Sequence, residues 1–131
     1  MKHKICYILT FCVYVAAILS LCLMKPDYLP QPEMFIFGIP ADKVAHFLMF
    51  LPFPILMHMM LFDKSRKIWL DILLLAGILA MGIGAAFGTE FLQSLTQYRS
   101  ADIKDTFADM KGLGTGGLLV LLHILSRRNG K

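Results

Sequence analysis

Four apolar runs, each about the length of a bilayer crossing and each bounded by charge or proline, partition this 131-residue chain. About 20 consecutive apolar residues cross the hydrocarbon core as a helix, where every backbone polar group must be satisfied internally. The runs fall at approximately residues 5–24, 42–62, 68–97 and 105–125. They predict an all-α membrane protein, a four-transmembrane-helix bundle forming a single domain over residues 1–131. Composition agrees, since 57% of residues are hydrophobic and only 17% charged, with mean hydropathy +0.66. A soluble chain carries nearer a quarter charged residues, and one this short cannot enclose so much apolar surface in a core.

Each run carries local signals. Lys2 and Lys4 precede the run Ile5 to Met24, which is longer than a secretory signal core and lacks a small-residue cleavage site, so it reads as an anchor helix. Its three cysteines, Cys6, Cys12 and Cys22, lack zinc-site spacing and read as small apolar residues. Pro26, Pro30, Pro32 and Pro40 make the next segment a loop, and its stretch Met34-Phe35-Ile36-Phe37 suits a headgroup layer. Asp42 is placed to N-cap the second span, which Pro52 and Pro54 should kink. Ala80, Gly84 and Gly88 recur every fourth residue on the third span, as Gly112 and Gly116 do on the fourth. Both rows predict close helix packing.

The net charge is +4 and the pI about 9.1, but the basic residues sit at helix ends rather than in an aromatic-interleaved stripe. That excludes nucleic acid as the expected partner and makes the charge a topology signal. Lys2, Lys4, Lys64, Arg66, Lys67, Arg127, Arg128 and Lys131 fall on the side holding both termini. Lys25, Lys43, Arg99 and Lys104 fall on the other, with Lys111 a turn inside the fourth span. The heavier side is cytoplasmic by the positive-inside rule, giving an N-in/C-in topology. Acidic residues sort oppositely: only Asp63 and Asp71 lie toward the cytoplasm, and the other seven lie outside.

Several ionisable groups enter the membrane near the outer ends. Asp42, Lys43 and His46 open the second span; Glu90 and Gln93 share a face of the third, with Arg99 past its end; Asp105 and Asp109 open the fourth. At 1.5 Å per residue, Glu90 and Asp109 lie within roughly 10 Å of the helix ends, in one shallow layer. A charge facing lipid is unfavourable, so these side chains should face inward, paired with Lys43, His46 or Arg99, and line a polar pocket open to the outside. Caps and interfacial anchors are the structural alternative, which Asp42 and Asp105 suit. Glu90 and Gln93 suit it less, because about 20 apolar residues precede them on the same helix. His58 and His123 read as hydrogen-bonded filler.

Taken in order, Asp42-Lys43-Val44-Ala45-His46-Phe47, Glu90-x-x-Gln93, Arg99 and Asp105-x-x-x-Asp109-x-x-Gly112-x-x-x-Gly116 resemble the signature of VanZ-like membrane proteins over about residues 40 to 118. One position departs: the family pattern usually has asparagine where this chain has Asp109. The resemblance implies a role in the bacterial envelope, in the cytoplasmic (inner) membrane, with an influence on susceptibility to the glycopeptide teicoplanin.

The expected function is a non-catalytic pocket binding a lipid-linked envelope precursor, an anionic lipid or a surface ligand. Asp42, Lys43, His46, Glu90, Gln93, Arg99, Asp105 and Asp109 would line it, with Lys43 and Arg99 holding anionic groups. The alternative is a hydrolase or transferase acting on a lipid-phosphate or envelope precursor. Glu90 or His46 would then be the general base, and Arg99 would stabilise developing negative charge. No cofactor is expected. A divalent metal on His46, Glu90, Asp105 and Asp109 is the weaker option, because ligands from three separate helices give no diagnostic spacing. A transporter fits less well, since no chain of charges continues to the cytoplasmic side.

Overall fold

The computed structural model describes residues 2–28, 33–97 and 102–129. Helix α1 (Lys2–Leu23) is followed by a 3₁₀ turn, Pro26–Tyr28, and a two-stranded antiparallel hairpin, β1 (Phe35–Ile36) with β2 (Ile39–Pro40). Helices α2 (Ala41–Phe50) and α3 (Pro52–Leu61) form one bent span, and α4 (Ile68–Ser94) and α5 (Ile103–Asn129) complete the bundle. All four spans are long and apolar enough to cross a membrane.

The bend has a simple origin. Leu51 keeps helical dihedrals and donates to the Phe47 carbonyl at 3.0 Å. Pro52 and Pro54 then supply no amide proton, so the ladder is interrupted while the path continues. The hairpin turn is carried by Phe37 (φ 51°) and Gly38 (φ 78°), both in the left-handed region that two-residue hairpin loops require. It runs directly into α2, whose first amide, at Ala41, donates to Met34 at 2.7 Å. Pro40 therefore occupies the N-cap position, and Asp42, expected to cap, lies inside the first turn with no cap hydrogen bond. On α5 the cap is Asp102, whose Oδ1 accepts the Lys104 amide at 2.9 Å, rather than Asp105.

α5 is the hub, packing against α2, α3 and α4. Two glycines permit this. A Cβ at Gly112 would strike the Phe47 carbonyl oxygen, and one at Gly116 would strike that of Leu51. Backbone therefore meets backbone along the α2–α5 seam. The row on α4 behaves differently: a Cβ at Gly84 or Gly88 would meet nothing within 4 Å, and Ala80 is exposed. The close approach on α4 comes at Gly82 instead, where a Cβ would meet the side chains of Leu113 and Phe53. Leu75, Ile78, Gly82, Ala86, Glu90 and Gln93 form the buried stripe of α4, and Gly84 lies across the helix from it.

Phe50, Phe53, Met57, Ile78, Ala86 and Leu113 make the main core, and Leu75, Val120 and Ile124 a second one. α1 is the outermost helix, with 11% of its span buried against 44% for α5. It is tied in by Phe11 against Phe53 and by the Tyr14 hydroxyl, which donates to the Met49 carbonyl at 2.5 Å.

The basic end of the bundle, where α3 meets α4 and α5 terminates, is stapled by a carboxylate. Asp71 is fully buried and pairs with Arg66 at 3.2 Å and Arg127 at 3.0 Å. The same guanidinium groups donate to the Leu61 and Lys64 carbonyls, and Arg127 lies 4.7 Å over the Phe62 ring. In the intervening turn, the Ser65 hydroxyl and amide both donate to Asp63 and hold its carboxyl below the usual range.

Candidate functional site

At the opposite end, the first turns of α2 and α5 meet the last turns of α4. Two helix N-termini favour acidic side chains there, and Asp42 and Asp105 occupy those turns. Lys43 reaches across α2 and bonds three carboxylates: Asp42 at 3.0 Å, Asp102 at 3.2 Å and Asp105 in close contact. Asp102 stands outside the spans; the Lys104 amide foremost, and then Lys43, hold its carboxyl below the usual range.

A turn deeper the polar groups are sealed. His46 is 4% exposed, Glu90 5%, Gln93 2% and Asp109 0%. The His46 imidazole lies between two acids of α5: Nδ1 is 2.9 Å from Asp109 Oδ1, and Nε2 is 3.6 Å from Asp105 Oδ2. Glu90 Oε2 accepts the Asp102 amide at 3.1 Å, which ties the end of α4 to the start of α5. His46, Glu90 and Asp109 each bring one ligand atom within 4.8 Å of the others. Gly112 holds this arrangement from below. It follows Asp109 by one turn and abuts the carbonyl of Phe47, the residue after His46, so the α2–α5 seam sets the His46–Asp109 distance.

Beside the cluster is a cavity of about 400 Å³ between α1 and α2. Ala17, Ile18, Leu21, Leu48 and Pro52 form its apolar walls, and Asp42, His46 and Gln93 its polar end. Leu48 is 57% exposed, so the cavity margin reaches the lipid-facing surface.

Of the residues expected to line a site, Asp42, Lys43, His46, Glu90, Gln93, Asp105 and Asp109 lie together here, while Arg99 lies outside the described residues. Two participants were not anticipated. Asp102 joins through Lys43 and Glu90, and its place one residue before a helical run is the N-cap signal that marks it. Tyr14 lines the cavity from α1, and nothing in its apolar surroundings distinguishes it.

A polytopic helical membrane protein with an ionisable cluster sealed beneath one end of its bundle is thereby defined. The chain belongs to the VanZ-like family: the VanZ/LLP1 family profile matches residues 9–125. It is also 33% identical over 82 residues to the uncharacterized protein C11E3.10 of Schizosaccharomyces pombe (strain 972 / ATCC 24843). That match covers 63% of this chain and 48% of the yeast protein, so the chain spans about half of its relative. No solved structure matches.

Proposed function

We propose that the protein binds a membrane amphiphile with an anionic head, such as a lipid-linked envelope precursor or an anionic lipid. The acyl or prenyl chain would lie in the α1–α2 cavity and the head beside Lys43. The observation that carries this reading is the cavity itself, apolar along α1 and α2 and ending at Asp42, His46 and Gln93. An amphiphile entering from the bilayer meets apolar walls for its chain and hydrogen-bonding groups, with Lys43 beside them, for its head. Arg99, three residues before Asp102 in the sequence, would supply a second cation for the head. A relative in a fission yeast favours a ligand class common to many membranes, and lipid phosphates are one.

In a bacterium the same reading places the protein in the cytoplasmic membrane with this end outward. Any effect on teicoplanin susceptibility would then follow from altered surface composition or antibiotic access.

Binding of a labelled polyprenyl-phosphate precursor to protein in nanodiscs tests the proposal. Ala17→Phe fills the cavity without touching the ionisable cluster, and Arg99→Ala removes a cation. Each is expected to weaken binding at least tenfold, and unchanged binding in both would refute the reading.

One feature favours a catalytic variant. His46, oriented by Asp109 at 2.9 Å with Glu90 close by, has the form of a general base with its orienting acid. On that reading the same ligand is hydrolysed or transferred, and Glu90→Gln or His46→Ala abolishes turnover of the precursor. Binding without turnover in the unmodified protein excludes it.

A further inference from the structure

We propose that His46, Glu90 and Asp109 form a divalent-metal site of the zinc class. This goes beyond the amphiphile reading and does not depend on it.

Three helices each contribute one ligand: His46 from α2, Glu90 from α4 and Asp109 from α5. Their donor atoms lie within 4.8 Å of one another, and all three residues are buried. Around a tetrahedral zinc ion with bonds of about 2.0–2.2 Å, ligand atoms stand roughly 3.3 Å apart. His46 Nδ1 and Asp109 Oδ1 are in direct hydrogen-bond contact at 2.9 Å, so a bound ion would replace that hydrogen bond and spread the two groups by a few tenths of an ångström.

An independent observation comes from Asp109. Its side chain has 0% exposure, yet Oδ2 has no hydrogen-bond partner among the described residues. A buried carboxylate oxygen left unpaired is costly, and a cation held by the Asp109 carboxylate would remove that cost.

Charge points the same way. Lys43 is committed to Asp42, Asp102 and Asp105. Glu90 and Asp109 bring two further carboxylates to the His46 ring. A divalent ion balances two carboxylates directly, with neutral imidazole as the third ligand.

The donor set selects the metal. One nitrogen and two carboxylates suit zinc or a similar borderline ion, whereas calcium takes six to eight oxygens. Three protein ligands leave a fourth position open, as in sites where zinc binds water or a substrate oxygen. Asp105, 3.6 Å from His46 Nε2, is placed to orient the ring from behind, the role of outer-shell carboxylates at histidine–metal sites.

The test uses the full chain in detergent, stripped with chelator and dialysed against Zn²⁺ alone, with bound metal measured by atomic absorption. One equivalent per chain is expected, with Co²⁺ substituting to give the visible spectrum of a tetrahedral nitrogen–oxygen site. Glu90→Gln and Asp109→Asn should each lower affinity at least tenfold. Asp63→Asn, in the turn at the opposite end of the bundle, should change it less than threefold. Asp109→Asn keeps the volume and the acceptor facing His46, so it is expected to fold, and its melting temperature checks that. No saturable zinc binding by the unmodified protein overturns the proposal, as does binding indifferent to the triad variants. Lipid-phosphate binding by unmodified protein that takes up no zinc removes the metal site alone and leaves the amphiphile reading standing.

Discussion

Gly112 is the residue on which the geometry of the ionisable cluster turns. A methyl group there would collide with the Phe47 carbonyl and lie 3.1 Å from the Leu51 amide. Both are backbone atoms that cannot rotate away. Gly112→Ala should therefore destabilise the fold by about 1–3 kcal/mol, the usual cost of overpacking. It should also loosen the site, seen as a lower melting temperature in detergent and weaker ligand binding. Gly114→Ala, which would meet open space, is the control and should be close to neutral. At the other end, Asp71 faces two arginines whose side chains are 26% and 20% exposed. Asp71→Asn leaves both cations without their counter-ion. Breaking a buried pair costs about 3–5 kcal/mol; here solvent around the arginines brings the expected loss nearer 2 kcal/mol, measurable in a denaturant titration. The importance of Asp71 was not legible in the sequence, because its partner Arg127 lies at the far end of α5 and only packing joins them. The cluster of Lys43, His46, Glu90 and Asp109 was legible, since each lies near a helix end where a charge facing lipid is unfavourable.

Among the elements, the four long apolar helices were legible because length and hydropathy alone decide them. Their rotations were not. α4 is apolar nearly all round, so its sequence carries no periodic contrast between a lipid face and a protein face. The regular Ala80–Gly84–Gly88 spacing pointed outward while the less regular Gly82 pointed in. On α5 the acids Asp105 and Asp109 mark one face as buried, and Gly112 and Gly116 continue it; there the reading and the structure agree. The hairpin before α2 had no alternating strand pattern to announce it, only a glycine after an aromatic run. Its turn holds Phe37 at positive φ with the side chain wholly exposed, an unfavourable backbone for an aromatic residue. A ring left uncovered by the protein at this level suits the headgroup layer, where aromatic side chains concentrate. Phe37→Trp in a Trp69→Phe background should therefore show blue-shifted emission in lipid vesicles, quenched by lipids brominated near the headgroup. Emission characteristic of water would refute this anchoring role.

For the molecule as a whole, the two ends of the bundle are chemically opposite, and that opposition decides how it can sit in a bilayer. One end carries Lys64, Arg66, Lys67 and Arg127 around a single buried acid, Asp71. The other gathers Asp42, Glu90, Asp102, Asp105 and Asp109 about Lys43 and His46. Positive charge resists translocation while acidic residues contribute little to orientation, so the first end is expected to remain in the cytoplasm. The second is then expected to face outward. Single cysteines introduced after Cys6, Cys12 and Cys22 are replaced by alanine would read this directly. Lys64→Cys should react with a membrane-impermeant maleimide only after the membrane is broken, and Gln97→Cys in intact cells. The reverse pattern would put the cavity and its ionisable cluster on the cytoplasmic side. The ligand would then have to come from the inner leaflet or the cytosol, and a role in glycopeptide access would lose its physical basis.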